Sequence, residues 1–218
     1  FESKPARERV LTAIEADEIE RVTVLGCGTL GASWAALFLA HGLDVAAYDP
    51  APGFAAAALW AVEAARAQLS ELGLNGQGTL RFHDRLEDAL ADTDFVQENA
   101  PENEAVKRAL LMEVDRRLPP SILVASSTSA MLRSALVADC ARPERILVAH
   151  PFHPPHLVPL VEIVAGDDAV AARAASSASE TLDQSKKWNH PSAAVGGTDM
   201  QQEAKMRESH KRRQMGSE

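Results

Sequence analysis

The run Val22-Thr23-Val24-Leu25-Gly26-Cys27-Gly28-Thr29-Leu30-Gly31 decides how this chain folds. A short β-branched segment ends at a glycine. A GxGxxG pattern follows, and a helical apolar period runs from Thr29 to His41 until Gly42 stops it. Alone, GxGxxG is a weak signal. Between a strand and a helix it predicts a dinucleotide-binding turn, with Gly26 for the tight turn, Gly28 for close backbone approach to a pyrophosphate, and Gly31 for helix–strand packing. Thr29 and Leu30 open the helix, whose free N–H groups and positive dipole end would face the phosphates. The next predicted strand, Leu43–Tyr48, ends at Asp49, about 20 residues on, where a carboxylate would accept hydrogen bonds from a ribose. The segment Pro50-Ala51-Pro52-Gly53 offers no cation for a 2′-phosphate, so the expected cofactor is NAD rather than NADP. The competing reading is a glycine-tightened βαβ unit with no ligand, in which Cys27 is simply a small packed residue.

Outward from this turn the same alternation continues. Phe54–Leu72 is alanine-rich and helical, closed by Gly73. Leu80–Phe82, Phe95–Gln97, Ile122–Ala125, Ile146–Ala149 and Val161–Val164 read as strands. Helices are expected at Leu86–Ala91, Glu104–Leu118, from about Ser134, and over Asp167–Leu182. This predicts an α/β, Rossmann-type doubly wound, mainly parallel sheet covered on both faces. Residues 1–20 read as an N-terminal arm or short amphipathic helix, residues 21–184 as the dinucleotide-binding domain, and residues 185–218 as a divergent flexible tail without a strand.

Composition excludes several other classes. Of 218 residues, 46% are hydrophobic but only 5% aromatic, which suits small-residue helix–sheet packing over a β-sandwich. A formal net charge of -9 argues against a nucleic-acid partner or an anionic membrane surface. Two cysteines far apart suggest neither a disulfide framework nor a zinc ribbon. With no apolar run of transmembrane length and no signal-peptide pattern at the first residues, the expected location is cytoplasmic. His150, His153 and His156 invite a zinc reading, but Pro151, Pro154 and Pro155 keep them off one helical face, so no metal is expected.

Three further segments carry polar groups: Gln97-Glu98-Asn99-Ala100-Pro101-Glu102, Ser126-Ser127-Thr128-Ser129, and His150-Pro151-Phe152-His153-Pro154-Pro155-His156, which runs into Leu157-Val158-Pro159-Leu160-Val161-Glu162. With these segments and their spacing, the chain over about residues 21–184 resembles the 3-hydroxyacyl-CoA dehydrogenase family. It is most similar to the lambda-crystallin (L-gulonate 3-dehydrogenase) and L-carnitine dehydrogenase branches, which share the Ser33-Trp34-Ala35 helix start. The resemblance implies NAD-dependent oxidation of a 3-hydroxyl on a small hydroxy acid or hydroxyacyl substrate. It implies His150 as catalytic base, Glu162 as the carboxylate that orients it, and Ser129 as a hydrogen-bond partner of substrate and nicotinamide. Glu102, Lys107 and His153 would contact the cofactor.

Each residue also has a plainer reading. His150 could cap a strand end, and Glu162 could face solvent. Ser127 to Ser129 could satisfy a local turn, and Glu102 and Lys107 could mark an exposed helix start. A non-catalytic NAD(H)-binding or truncated, crystallin-like protein is the alternative function.

The chain departs from the family pattern in four places. His153 stands where the family usually has asparagine. Ala65 and Leu72 fall where members acting on coenzyme A thioesters carry serine and lysine. The segment that opens the family's helical domain is not found, so that domain is expected to be missing and a homodimer doubtful. The N-terminal arm is longer than usual.

Overall fold

The computed structural model describes residues 19–166 and the backbone of residues 194–198. The sequence expectations for the first 18 residues, for a helix over Asp167–Leu182 and for most of the tail lie outside these residues.

The strand and helix alternation read from the sequence is present. In chain order the elements are β1 (Arg21–Leu25), α1 (Thr29–Ala40), β2 (Asp44–Tyr48), α2 (Phe54–Glu71), β3 (Leu80–His83), α3 (Leu86–Leu90), β4 (Phe95–Glu98), α4 (Glu104–Arg117), β5 (Leu123–Ser126), α5 (Arg133–Leu136), β6 (Ile146–Pro151), β7 (Val161–Ala165) and β8 (Ala194–Thr198). Among the described residues the sheet order is β3-β2-β1-β4-β5-β6-β7-β8. Strands β1 to β6 are mutually parallel, β7 returns antiparallel to β6, and β8 lies parallel to β7. The strand order reverses at β1, which opens a crevice beyond the ends of β1 and β4, the usual ligand position in open α/β sheets.

Parallel strands covered on both faces read as continuous apolar runs because no side chain has a solvent face to reach. In β1, Val22, Val24 and Leu25 are buried, and the one buried polar member, Thr23, is satisfied by donating its hydroxyl to the Ala89 carbonyl at 2.7 Å. One face carries α1 and α2, whose Ala32, Ala35, Ala36, Ala58 and Ala65 form one core with Val22, Val24 and Val45. Small side chains let these helices sit close. The opposite face carries α4, whose Leu111 and Val114 pack with Leu25, Val96, Val124 and Val148. Trp34 of α1 covers Leu123, Leu147 and Ile163 and stacks on Phe38 at 5.5 Å.

Two elements differ from the sequence reading. The helix expected from about Ser134 is a single turn, α5, followed by a 3₁₀ turn at Pro143–Arg145. There Arg145, fully buried, forks onto Asp115 of α4 at 2.6 Å and anchors the turn to that helix. Burial pushes the Asp115 carboxyl up, but Arg145 and the Ala141 and Arg142 amides outweigh this and hold it below its usual value. The tail was read without a strand, yet Ala194–Thr198 forms β8. Its Ala-Val-Gly-Gly-Thr sequence has low strand propensity, and its register against β7 is irregular between Ile163 and Ala165.

Candidate functional site

The parallel strands all end at one edge: Leu25 pairs with Tyr48 and Glu98, Glu98 with Ser126, and Ser126 with Val148. The segments singled out in the sequence leave the sheet from that edge, so they gather into one site.

The glycine turn is built as its spacing requires. Gly26 has φ of +80°, and a Cβ there would lie 2.5 Å from the Asn99 carbonyl oxygen. A Cβ on Gly31 would lie 1.8 Å from the Gly26 carbonyl oxygen. A Cβ on Gly28 would meet nothing within 4 Å, so the backbone at Gly28 borders open space. Thr29 and Leu30 begin α1, which has no side-chain cap and no acidic residue in its first turn. Nothing in the first turn of α1 itself compensates its positive end, and the turn fits a pyrophosphate.

Asp49 stands at the end of β2 and also braces the turn. Its Oδ2 accepts from the Cys27 amide at 2.8 Å and its Oδ1 from the Ala51 amide at 2.9 Å. Each oxygen keeps a second lone pair for a ribose hydroxyl. Cys27 is buried, and burial together with Asp49 pushes its thiol up to about 12, which suits packing and not redox chemistry.

On the other side of the crevice, Glu102 ties two loops together. Its Oε1 accepts from the Thr128 hydroxyl at 2.6 Å, the Ser129 amide at 2.8 Å, the Ala130 amide at 3.1 Å and the Ser129 hydroxyl at 3.3 Å. Burial raises the Glu102 carboxyl, but these donors and Lys107 outweigh it and hold it below its usual value. Ser129 itself is exposed. Lys107 corrects the plainer reading of an exposed helix start. It is buried, with Nζ 2.9 Å from Glu98 Oε1 and 3.8 Å from Glu102 Oε2. Ser127 is likewise more than a turn residue: its buried hydroxyl accepts from Gln97 at 2.8 Å and Trp34 at 3.2 Å and donates to Asn99 at 2.8 Å.

His150 lies near the end of β6 and pairs in register with Glu162 on antiparallel β7. Its Nδ1 is 3.9 Å from Glu162 Oε2, and both side chains are about one-third exposed (33% and 38%). Glu162 therefore does not stand apart on a solvent face. The separation exceeds a hydrogen bond but is close enough to stabilise a protonated ring, and such contacts are often long before substrate binds. His153 is exposed on the strap between β6 and β7.

His156, whose spacing from His150 and His153 invites a zinc reading, braces the fold. Both its ring nitrogens are used, Nδ1 with Ser33 Oγ at 2.6 Å and Nε2 with Gln68 Oε1 at 2.8 Å. The Ser33 oxygen also accepts from the His156 amide at 3.2 Å. The ring clasps the strap onto α1 and α2. Among the described residues, no three His, Cys, Asp or Glu side chains are grouped to hold a metal ion. No helix among them is long and apolar enough to cross a membrane.

Burial, then the charge of His153, lowers the His156 pKa from 6.5. The folded state therefore favours the neutral ring, and below 6.5 the unfolded chain takes up the proton first. Stability from this clasp is complete above that value and is lost as pH falls through it. Melting should drop between about pH 7.5 and about pH 5.5, and His156→Asn should flatten that drop. Equal drops in both proteins would remove the clasp from the account.

Residues 21–189 match the family described as 3-hydroxyacyl-CoA dehydrogenase, NAD binding domain. The chain is 44% identical over 162 residues to an L-carnitine dehydrogenase of Streptomyces coelicolor, an alignment covering 73% of this chain and 51% of that protein. It is 44% identical over 170 residues to an L-carnitine dehydrogenase of Pseudomonas aeruginosa, covering 76% and 53%. The chain thus spans about half the length of the curated relatives it matches. Among solved structures, a 5-formyl-3-hydroxy-2-methylpyridine 4-carboxylic acid 5-dehydrogenase, described as an NAD+-dependent dismutase, superposes with a TM-score of 0.74. It is 31% identical, with 83% of this chain and 58% of that one covered. A 3-hydroxybutyryl-CoA dehydrogenase of Escherichia coli gives a TM-score of 0.63 at 31% identity, covering 75% and 36%. With the glycine turn, the acidic end of β2 and the sheet order all in place, the chain belongs to the family of the NAD-binding domain of 3-hydroxyacyl-CoA dehydrogenases.

Proposed function

We propose that this chain carries the cofactor-binding part of a dehydrogenase that uses NAD to oxidise the 3-hydroxyl of a small free hydroxy acid, with L-carnitine as the favoured substrate. The observation that carries the reading is the cross-strand pair His150–Glu162 at the sheet edge where the glycine turn opens. Bound NAD supplies the nicotinamide carbon that accepts a hydride. The turn at Gly26, Gly28 and Gly31, with the Thr29 and Leu30 amides, would hold the pyrophosphate, and Asp49 would hold the ribose. With Nδ1–H directed at Glu162, His150 keeps Nε2 free to take the proton from the substrate hydroxyl. As that O–H bond breaks, the carbinol C–H bond breaks as hydride, and the alcohol becomes a ketone. Glu162 stabilises the imidazolium so formed. Ser129 and His153 would orient the reacting groups. Residues 21–184 are the unit that does this.

Two observations favour a free acid over a coenzyme A thioester. The relatives at 44% identity are named L-carnitine dehydrogenases. Helix α2 carries no lysine, and its one arginine, Arg66, already donates to the Gly76 carbonyl at 3.1 Å. A panel of L-carnitine, L-gulonate, 3-hydroxybutyrate and 3-hydroxybutyryl-CoA should show NADH formation with a free acid and little with the thioester. Saturation by the thioester alone would overturn the substrate class.

A further inference from the structure

The mechanism leaves the buried charge pair at the end of β4 unused. Glu98, the last residue of β4, is 0% exposed and Lys107, in the first turn of α4, is 1% exposed. The Glu98 carboxylate is fully engaged. Its Oε1 accepts from the Ala100 amide at 2.6 Å and from Lys107 Nζ at 2.9 Å, while its Oε2 accepts from Lys107 at 3.1 Å and from the Ser126 hydroxyl. Charges in so dry a place must be paired, and their pairing fixes geometry more than it adds stability. The Asn103 side chain caps α4 through the Val106 amide at 3.1 Å, which sets the direction from which Lys107 enters.

The same ammonium lies 3.8 Å from Glu102 Oε2, and the other oxygen of Glu102 gathers Thr128, Ser129 and Ala130. The chain of contacts therefore runs from the end of β4, through α4, to the loop after β4 and across to the loop after β5. Its inner end is dry and its outer end, at Glu102 and Ser129, is exposed.

We infer that Glu98 is a positioning residue for the dinucleotide site: by fixing Lys107 it orients Glu102, and through Glu102 it holds the Ser129 loop in place for the cofactor. The inference rests on the reading of Glu102 and Ser129 as cofactor-facing groups. Lys107, turned inward, reaches the site through Glu102.

The test is fluorescence titration with NADH, well below the melting temperature, of the wild-type chain, Glu98→Gln and the double variant Glu98→Gln/Lys107→Met. The single change keeps the shape and removes the charge that holds Lys107. The double change removes both charges, so neither is left buried alone, and it guards against a single variant that fails to fold. Both are expected to bind NADH roughly tenfold more weakly, the loss of about one charge-assisted hydrogen bond, with the double variant regaining the melting temperature. A purely structural pair would behave differently: affinity would return to the wild-type value together with stability in the double variant, and that result overturns the inference. Wild-type affinity in a folded Glu98→Gln does the same. Failure of the wild-type chain to bind NADH would instead remove the reading of the site, and the inference with it.

Discussion

Replacement of His150 by alanine is expected to slow NAD reduction by about 10²–10⁴-fold, the usual loss when a general base is removed. NADH binding should be unchanged. His150 sits on β6, two strands beyond the β4 end that borders the glycine turn, and none of the contacts that brace the turn passes through it. Its partner Glu162 acts by orientation and by stabilising the imidazolium, so Glu162→Gln should cost less, leaving the base in place with a neutral neighbour 3.9 Å away. Steady-state rates and NADH titrations on the same preparations check both statements. An unchanged rate in His150→Ala would take the proton-transfer role away from this residue. Loss of NADH binding in that variant would make it a structural histidine.

The glycine turn should respond to two substitutions in different ways. Gly31→Ala puts a Cβ 1.8 Å from the Gly26 carbonyl oxygen, a backbone atom with no rotamer to escape into. Helix α1 must move off β1, at a cost of about 1–3 kcal/mol or more, and both melting temperature and NADH binding should fall. Gly28→Val meets nothing within 4 Å from its Cβ, and its φ of -67° is open to any residue. Its melting temperature should therefore stay near the wild-type value. Its branched side chain would instead fill the space left for a pyrophosphate, and NADH binding should weaken by at least about tenfold, or about 1.4 kcal/mol. Wild-type NADH affinity in Gly28→Val would mean that the phosphates lie elsewhere.

These contrasts show which parts of the molecule could be read from residues alone. The buried strands were legible because Val22–Leu25 is a β-branched run ended by Gly26 and Ile146–Ala149 is an unbroken apolar run. The turn was legible because each glycine answers a separate steric demand. The site residues His150 and Glu162 were assigned by resemblance, and only the antiparallel register of β6 and β7 puts them opposite each other. Lys107 was read as either a cofactor contact or a solvated helix residue, because a helical charge looks the same in sequence whether it faces water or a buried carboxylate. The available signal was Glu98 itself, a charge closing the buried run Val96-Gln97-Glu98. The His156 clasp was hidden because Ser33 and Gln68 lie on two helices distant in sequence. The eighth strand escaped notice because two glycines erase its pattern.

The most direct test of the proposed chemistry follows the hydride. L-Carnitine carrying deuterium on the carbon that bears the 3-hydroxyl is incubated with the chain and NAD, and the reduced nicotinamide is examined by mass spectrometry. The account predicts that the deuterium is found on the nicotinamide ring of the NADH formed, and that His150→Ala abolishes this transfer without abolishing NADH binding. NADH formed without deuterium, or deuterium released to water, would contradict direct hydride transfer from that carbon.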